Sequence, residues 1–361
     1  MQIDMHYYGT YAMARASGIT RDAAKVIATA AQFVDDNAVK DSIKFRDGGR
    51  LDAEATAHHA IDRKNIDLED QRKIWVPFHF LPGNHGKTYT ERLLCRKDSE
   101  IAREMVKYNL SLADRSYALP LIGITAHVYA DTFSHYGFSG ISSRRNKIVN
   151  DSFKFKSLDT KMENYILDKA KRFKEDYPDE DSLLSNVKSW FAEKLSGALG
   201  HGAAMTFPDR PYLKWSFKYE DPESDSGERD NPATFIEGCE ALHKLFRNFG
   251  KARPDCAENK YSRFSDIKKE VEAILNLQAP KEKRIRAWQI AAKNGNLFAT
   301  GPETIPKYNA DLWHNERENL VRKKNSGVVT GLSIYWFYQA ASVYRTYILR
   351  ILLPSKGLVV T

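Results

Sequence analysis

Apolar residues recur at helical spacing along most of the chain, and this pattern constrains the fold most strongly. The clearest case follows Asn231-Pro232, a helix-capping residue and a proline suited to the first helical position. The apolar positions after it are separated by three or four residues; they are Phe235, Cys239, Leu242, Phe246 and Phe249. Besides the helix that begins at Asn231, we predict helices at 7–17, 20–34, 98–115, 120–135, 158–177, 182–199, 265–276, 281–293, 309–324 and 329–352.

Only the stretch Ile74–Leu81 reads as extended, and Pro77 and Pro82 limit its use in a central strand. No internal repeat is visible. The fold class predicted from these patterns is therefore all-α, a multi-helix bundle. Within its 361 residues we expect a helical metal-binding core at 1–215 with a basic insertion near 141–200. An acidic loop at 216–234 and a helical part at 235–361, packed on the core, complete the chain.

The composition places the chain among soluble globular proteins. It is 42% hydrophobic and 28% charged, which excludes global disorder, a collagen-like repeat and a polytopic membrane protein. Three cysteines without a CxxC pair exclude a disulfide framework and a cysteine zinc site. The first residues contain neither a basic segment nor an apolar stretch typical of a secretory signal. We therefore expect a cytoplasmic protein.

The net charge of +8 favours anionic partners, and it is unevenly distributed. Arg144–Lys174, the basic segment, has ten Lys and Arg against four Asp and Glu, a net of +6. Glu220–Asp230, the acidic segment, has six Asp and Glu against one Arg, a net of −5. Runs of this kind are most often solvated surfaces.

The strongest chemical signal is His127-x3-Asp131-x3-His135, in a largely apolar stretch. Residues four apart lie on one face of a helix, so the three side chains would project together. Imidazole nitrogens and carboxylate oxygens are zinc ligands, and such groups are costly to bury without partners. The alternative is a polar stripe on an exposed helix. The apolar neighbours favour a metal site.

Further candidate ligands are scattered before and after this motif. Two neighbouring carboxylates end the helix that begins near Thr20, and adjacent histidines follow a helix-favouring stretch. Of each adjacent pair, at most one side chain is expected to reach a given metal, because neighbours on a helix point about 100° apart. The candidates are His6, Asp35 or Asp36, His58 or His59, and His201. With the central motif they are enough for two or three ions.

The order of these residues resembles the zinc-dependent phospholipase C and single-strand-specific zinc nuclease superfamily, over residues 1–215. The resemblance implies an all-helical enzyme with a cluster of two to three zinc ions. Matching positions follow the order of that family's ligands, with Asp131 in the metal-bridging place; they are His6, Asp35 or Asp36, His58 or His59, His127, Asp131, His135 and His201. The opening residues also look like a bacterial domain family of unknown function.

Two positions depart from the pattern of that superfamily. Met1 stands where the family has a tryptophan whose N-terminal amine and carbonyl bind metal, and Asp4 is a possible substitute. Met205 stands four residues after His201, where the family has a carboxylate, and Asp209 is the nearest replacement. A rival all-helical class of phosphohydrolases requires a His-Asp dipeptide, which this sequence lacks.

The function we expect is hydrolysis of a phosphodiester in nucleic acid or a nucleotide by a zinc cluster. Asp131 would hold the cluster together, and Asp35 or Asp36 would also act as general base. We expect contacts to the anionic substrate from exposed polar or basic residues; they are His79, Lys87, Arg144 and Arg145.

Two alternatives stay open. One is a phospholipase C-like hydrolase of phospholipid head groups, which would meet a membrane surface through Trp336 and Phe337 of the aromatic C-terminal helix. The other is a binding protein whose metal is structural, with closed coordination. The sequence gives no indication of oligomeric state.

Overall fold

The computed structural model describes residues 1–57, 71–149, 152–176, 204–321 and 325–360. It is predominantly helical, which confirms the predicted fold class. The longer helices are α1 (Thr10–Ala16), α2 (Arg21–Asp36), α3 (Glu100–Leu110), α4 (Ala118–Ser134), α5 (Thr160–Asp176), α6 (Asn231–Ala252), α7 (Phe264–Leu275), α8 (Lys281–Lys293), α9 (Asp311–Leu320) and α10 (Ser333–Tyr347). Short helical segments are Asp4–Gly9, Gln71–Trp75, Val76–Phe78, Tyr89–Arg92, Arg144–Asn146, Pro254–Cys256, Ser326–Gly331, Ile348–Leu352 and Leu353–Ser355. The predicted helix at 182–199 lies outside the described residues.

Strands are short and peripheral. They are β1 (Ile43–Lys44), β2 (Arg50–Leu51), β3 (Lys154–Lys156), β4 (Lys214–Ser216), β5 (Lys218–Glu220), β6 (Glu223–Asp225) and β7 (Arg229–Asp230). The pairs β1–β2 and β5–β6 are antiparallel hairpins, and β4 lies between β3 and β7. The segment 216–234, expected to be an acidic loop, therefore contains the whole of strands β5, β6 and β7 and the start of α6.

The extended conformation predicted for Ile74–Leu81 was wrong. A π-helical turn, Gln71–Trp75, leads directly into the helical turn Val76–Phe78. Pro77 lies in the first turn of that segment, where a helix does not need the missing N–H, so proline is tolerated there. As a result His79 follows a buried helical turn rather than an exposed loop.

Helix α4 is the centre of the bundle. It packs against α2, α3, α6 and α10, and every residue in it except Leu119 is buried. A helix that is apolar all round is expected at such a position. The polar residues of α4 are therefore enclosed by the protein.

Gly123 sets the distance between α2 and α4. A Cβ atom at this position would lie 2.4 Å from the carbonyl oxygen of Ile27 and 2.6 Å from the Cβ of Ala30. Real side chains do not approach this closely, so only glycine lets the two backbones meet here. The α2 face at this contact is built largely of alanine.

The C-terminal helix α10 is part of the core. Phe337 is fully buried, with ring contacts to Phe33 and Trp313. Trp336 donates its indole N–H to the carbonyl oxygen of Thr330. Phe337 therefore does not offer a surface to lipid, contrary to the phospholipid alternative. Within the described ranges, no helix combines the length and the apolar character needed to cross a bilayer.

The basic and acidic segments lie against each other. Strand β3 of the basic segment pairs with β4, which in turn pairs with β7 at the end of the acidic segment. Arg144 forms an ion pair with Asp221 at 3.4 Å, and Lys156 forms one with Glu228. Part of the +6 charge is thus neutralised within the molecule.

Candidate metal centre

Helix α4 projects three of the predicted ligands along one stripe. His127, Asp131 and His135 are spaced by four residues, and the N–H of His135 donates to the carbonyl of Asp131 at 2.8 Å. This bond continues the helical geometry through His135, the residue that follows the last helical one. All three side chains are buried. The C-terminal end of α2 adds Asp35, and the π-helical turn at the N-terminus adds His6.

Two further residues complete the cluster. His79 is buried, and its Nδ1 lies 3.7 Å from Oδ1 of Asp35 and 3.8 Å from Oδ2 of Asp131. Asp209 is buried after the turn at Pro208, and its Oδ1 lies 3.0 Å from Nε2 of His135. The cluster therefore contains four histidines and three aspartates among the described residues.

Backbone carbonyls fix which nitrogen of each imidazole faces the cluster. His127 donates from Nδ1 to Ala31 at 2.7 Å, and His79 donates from Nε2 to Thr56 at 2.8 Å. His135 donates from Nδ1 to the carbonyl of His79 at 2.9 Å. A nitrogen that carries the donated proton leaves the opposite nitrogen with a lone pair. This is how histidine ligands of metals are usually oriented.

Two of the nitrogens that face the cluster converge on one carboxylate. Nε2 of His127 lies 3.4 Å from Nδ1 of His79, and both nitrogens lie within 3.8 Å of Oδ1 of Asp35. With one proton of each ring directed to a carbonyl, two nitrogen lone pairs and a carboxylate oxygen face one another, which is costly in a buried site unless a proton or a cation lies among them. Burial lowers the pKa of His79, but the carboxylates of Asp131 and Asp35 outweigh it and raise that pKa above the ordinary value, so a proton fills this role in the metal-free site.

His6 and Asp131 present the same imbalance. His6 stacks on His127 with ring centroids 3.9 Å apart, and its Nε2 lies 3.2 Å from Oδ1 of Asp131. Within the described part of the chain, neither ring nitrogen of His6 forms a hydrogen bond, and neither does Oδ2 of Asp131, although that oxygen lies 3.2 Å from Nε2 of His127. Burial, helped by the neighbouring His127, lowers the pKa of His6 to about 4, which favours the neutral ring.

Ligand atoms within 4.8 Å of one another form two sets. One set is His6, His127 and Asp131, and the other is Asp35, His79 and His127. Because Nδ1 of His127 is committed to Ala31, its Nε2 can serve one ion at a time.

The amine of Met1 lies inside the cluster. It donates to Oδ1 of Asp131 at 2.6 Å and lies 3.2 Å from Oδ1 of Asp209 and 3.5 Å from Nε2 of His135. Burial disfavours the charged amine, but the carboxylates of Asp131, Asp209 and Asp35 raise its pKa to about 11. Burial alone would raise the pKa of Asp131, but the surrounding imidazoles and the amine hold that pKa well below its ordinary value.

A buried ion pair holds the N-terminal turn in place. Nε of Arg284 donates to Oδ2 of Asp4 at 2.6 Å, and its Nη2 donates to Oε1 of Gln2 at 2.5 Å. Both side chains of the Asp4–Arg284 pair are 1% exposed. Asp4, considered as a substitute ligand, is therefore committed to Arg284 and does not join the cluster.

A cleft of about 140 Å³ opens onto the cluster. Its polar walls are Asp35, His79, His135 and Asp209 with Met1, and its apolar walls are Ala57, Trp75 and Phe80. The carboxylate of Asp35 is 32% exposed, whereas that of Asp131 is 1% exposed. Small molecules from solvent can thus reach the Asp35 side of the cluster.

The other predicted site residues that the structure describes lie outside the cluster. Oδ2 of Asp36 accepts from the hydroxyl of Tyr308 at 2.5 Å, and burial raises the pKa of Asp36. Lys87 and Arg144 are exposed, and Arg145 pairs with Glu91 at 3.1 Å. His58, His59 and His201 lie outside the described residues.

His79 lies in a different place from the one predicted. It was expected to contact substrate from a loop, whereas it is buried among the ligands. The apolar residues around it, Val76, Phe78, Phe80 and Leu81, were a usable signal, because a histidine in such a run is usually buried and needs a partner.

Comparison with known proteins gives one match. A family model described as "family of unknown function (DUF6765)" matches residues 1–352. A search of curated proteins and a search of solved structures each found no match.

Proposed function

The chain belongs to this family of unknown function, and we propose that it is a zinc-dependent phosphodiesterase acting on a nucleotide or nucleic acid. The observation that carries the proposal is the convergence of imidazole nitrogens and carboxylate oxygens, several without a hydrogen bond among the described residues, beside an open cleft. The donor set of nitrogen and oxygen atoms suits zinc. In chain order, His6, Asp35, His127, Asp131 and His135 also fit the resemblance to the zinc phospholipase C and nuclease superfamily. The other positions of that resemblance, His58 or His59 and His201, lie outside the described residues.

The residues that would hold the ions are His6, Asp35, His79, His127, Asp131, His135 and Asp209. Zinc bound there would supply a water of lowered pKa and positive charge to balance the phosphate. Asp131 is the natural centre, because one of its oxygens lies 3.2 Å from Nε2 of His6 and the other lies 3.2 Å from Nε2 of His127. The amine of Met1 now occupies one side of this carboxylate, and it would have to lose its proton to act as a ligand.

Asp35 is the better candidate for general base than Asp36. Its carboxylate lines the cleft and is partly exposed, so a water molecule there can pass it a proton. Asp36 accepts from Tyr308 instead and holds the end of α2. Asp36 therefore affects the site only indirectly, by holding the end of α2 that carries Asp35.

The walls of the cleft favour a nucleotide over an isolated phosphate. Trp75 and Phe80 flank the cluster, and aromatic side chains stack on bases of any sequence. The open cleft also favours catalysis over a structural metal, whose coordination would be closed.

The test combines metal analysis with hydrolysis of a chromogenic phosphodiester. Protein purified without chelator should contain about two to three zinc ions per chain. Asp131→Asn and His127→Ala should each reduce chelator-sensitive hydrolysis by orders of magnitude. His314→Gln, a histidine outside the cluster, is the matched control and should retain both metal and activity.

The outcomes separate the alternatives. A metal content below one ion per chain after zinc loading would refute the cluster. Full metal content without hydrolysis of any phosphoester would identify a structural metal. Hydrolysis of phosphatidylcholine but not of single-stranded DNA or RNA would replace the proposed substrate with a phospholipid.

A further inference from the structure

A second cleft, of about 150 Å³, lies on the other side of the turn that follows α4. His135 of this turn contacts the metal-binding cluster, while Gly137, two residues later, lines the second cleft. Arg96 and Arg145 also line it, as do Tyr219 and Asp221. Nothing in the proposed hydrolysis uses this cleft.

Arg96 has no counter-ion in the part of the chain that the structure describes. Its Nε is buried and has no hydrogen-bond partner. Within the described ranges, no carboxylate lies within ion-pairing distance of its guanidinium. A guanidinium donates in several directions, so an unpaired one at the wall of a cleft is a ready site for an oxyanion.

A second guanidinium, that of Arg229, lies behind the wall; it has no carboxylate partner among the described residues and stacks on the ring of Tyr136, 3.7 Å from the ring centroid. Arg229 is 2% exposed, and it donates from Nη1 to Tyr136 at 2.8 Å and from Nη2 to Ser134 at 2.7 Å, both backbone carbonyls. Its Nε is buried without a partner. Its Nη1 lies 3.6 Å from the position that a Cβ of Gly137 would take, so its charge is close to the cleft.

The remaining charges at this cleft cancel. Arg145 pairs with Glu91 at 3.1 Å, and Asp221, the carboxylate in the wall, pairs with Arg144 at 3.4 Å. Arg96 and Arg229 are left as two positive charges without a carboxylate partner among the described residues. Buried charges are costly when unpaired, and an anion in the cleft would compensate them.

We propose that this second cleft is an oxyanion site that binds a phosphate group, with Arg96 as its main contact and Arg145 beside it. Gly137 leaves the space for the hydroxyl of Tyr219, which lies 2.5 Å from the position that a Cβ would take there and belongs to a residue that lines the cleft. The site does not depend on metal or on hydrolysis.

The probe is inorganic phosphate, titrated into the full-length protein at low ionic strength and followed by calorimetry. Arg96→Gln should weaken binding at least about tenfold, because a charge-assisted contact is lost. Arg96→Lys should restore part of the affinity, since it keeps the charge but not the planar donors. Arg115→Gln is the matched control, because Arg115 is exposed and pairs with the neighbouring Asp114.

A comparison of chelator-treated and zinc-loaded protein separates this site from the cluster. The Arg96-dependent binding should be the same in both states. Three results would overturn the proposal: absence of phosphate binding in the wild type, unchanged affinity in a folded Arg96→Gln variant, or loss of binding upon chelation. None of these would affect a measured hydrolytic activity of the cluster.

Discussion

The metal-binding cluster and the paired charged segments both concentrate ionisable residues, but they satisfy them in opposite ways. In the basic and acidic segments, Arg144 faces Asp221 and Lys156 faces Glu228 on an exposed surface. In the cluster, His6 and Asp131 are buried, yet His6 and one oxygen of Asp131 form no hydrogen bonds.

The difference between these two regions shows which of them calls for a bound ligand. A surface ion pair contributes little and can be solvated if it breaks, so it implies nothing about partners. Buried hydrogen-bond acceptors that face one another cannot be solvated by water. Holding them together therefore lowers the free energy of unfolding. The charged segments stand out by the count of charges along the sequence. The cluster stands out by its buried polar atoms that lack hydrogen bonds among the described residues.

Breaking the buried pair that anchors the N-terminal turn should have the largest effect on stability. Arg284→Leu leaves Asp4 buried without a partner, and we expect the free energy of unfolding to fall by about 3–5 kcal/mol. Zinc affinity should fall as well, because the same turn carries His6. Urea denaturation and a zinc titration measure the two effects.

The controls for this substitution are a double variant and an exposed pair. Asp4→Leu combined with Arg284→Leu should regain part of the lost stability, because no unpaired charge remains. Lys268→Ala, which removes a surface pair with Glu272, should change the free energy by less than about 0.5 kcal/mol. A loss for Arg284→Leu as small as that for Lys268→Ala would contradict the prediction.

Acid should destabilise the chelator-treated protein through His6. The pKa of His6 is about 4 in the folded state and about 6.5 when unfolded, so the unfolded state binds more protons between these values. The stability from the neutral ring is present above pH 6.5 and is lost as the pH falls toward 4, by up to about 3 kcal/mol. Urea denaturation at a series of pH values measures this loss.

A His6→Gln variant sharpens the comparison, because it removes the titrating ring. Its stability should decline less steeply than that of the wild type between pH 6.5 and 4. His314→Gln should keep the wild-type slope, since His314 lies outside the cluster. Equal slopes for His6→Gln and the wild type would show that another group is responsible.

The smallest effect is expected in the charged segments. Arg144→Ala removes an exposed pair and should change the free energy of unfolding by less than about 1 kcal/mol. Its affinity for single-stranded DNA near physiological salt should change by less than about tenfold, because at most one phosphate contact is lost. A fluorescence titration measures this, and a larger loss would show that the basic segment contacts nucleic acid despite its internal pairing.

Local patterns were sufficient for much of the fold. The predicted helix at 281–293 agrees with α8, and Pro232 places the start of α6 to within one residue. The capping residue is Asp230, whose carboxylate accepts from the N–H of Ala233 at 3.0 Å, and not Asn231 as predicted. The i,i+4 spacing of His127, Asp131 and His135 gives their common face, because helix geometry is the same everywhere. These features depend only on neighbours in sequence.

Features that depend on distant contacts could not be read in this way. The choice between Asp35 and Asp36 is made by Tyr308, which lies far along the chain. The place of the Met1 amine depends on Arg284, which fixes the turn beside it. The pairing of the basic and acidic segments depends on a sheet whose strands are two or three residues long, too short to give a pattern.

The contact at Gly123 makes the metal site a property of two helices rather than of its ligands alone. One turn beyond this glycine lies His127 on α4, and two turns beyond Ile27 lies Asp35 on the facing helix α2. The close contact at Gly123 thus sets the distance between His127 and Asp35, although Gly123 is not one of the candidate ligands. A methyl group at position 123 would push α2 and α4 apart. The ligands on the two helices would then separate, although no residue of the site itself had changed.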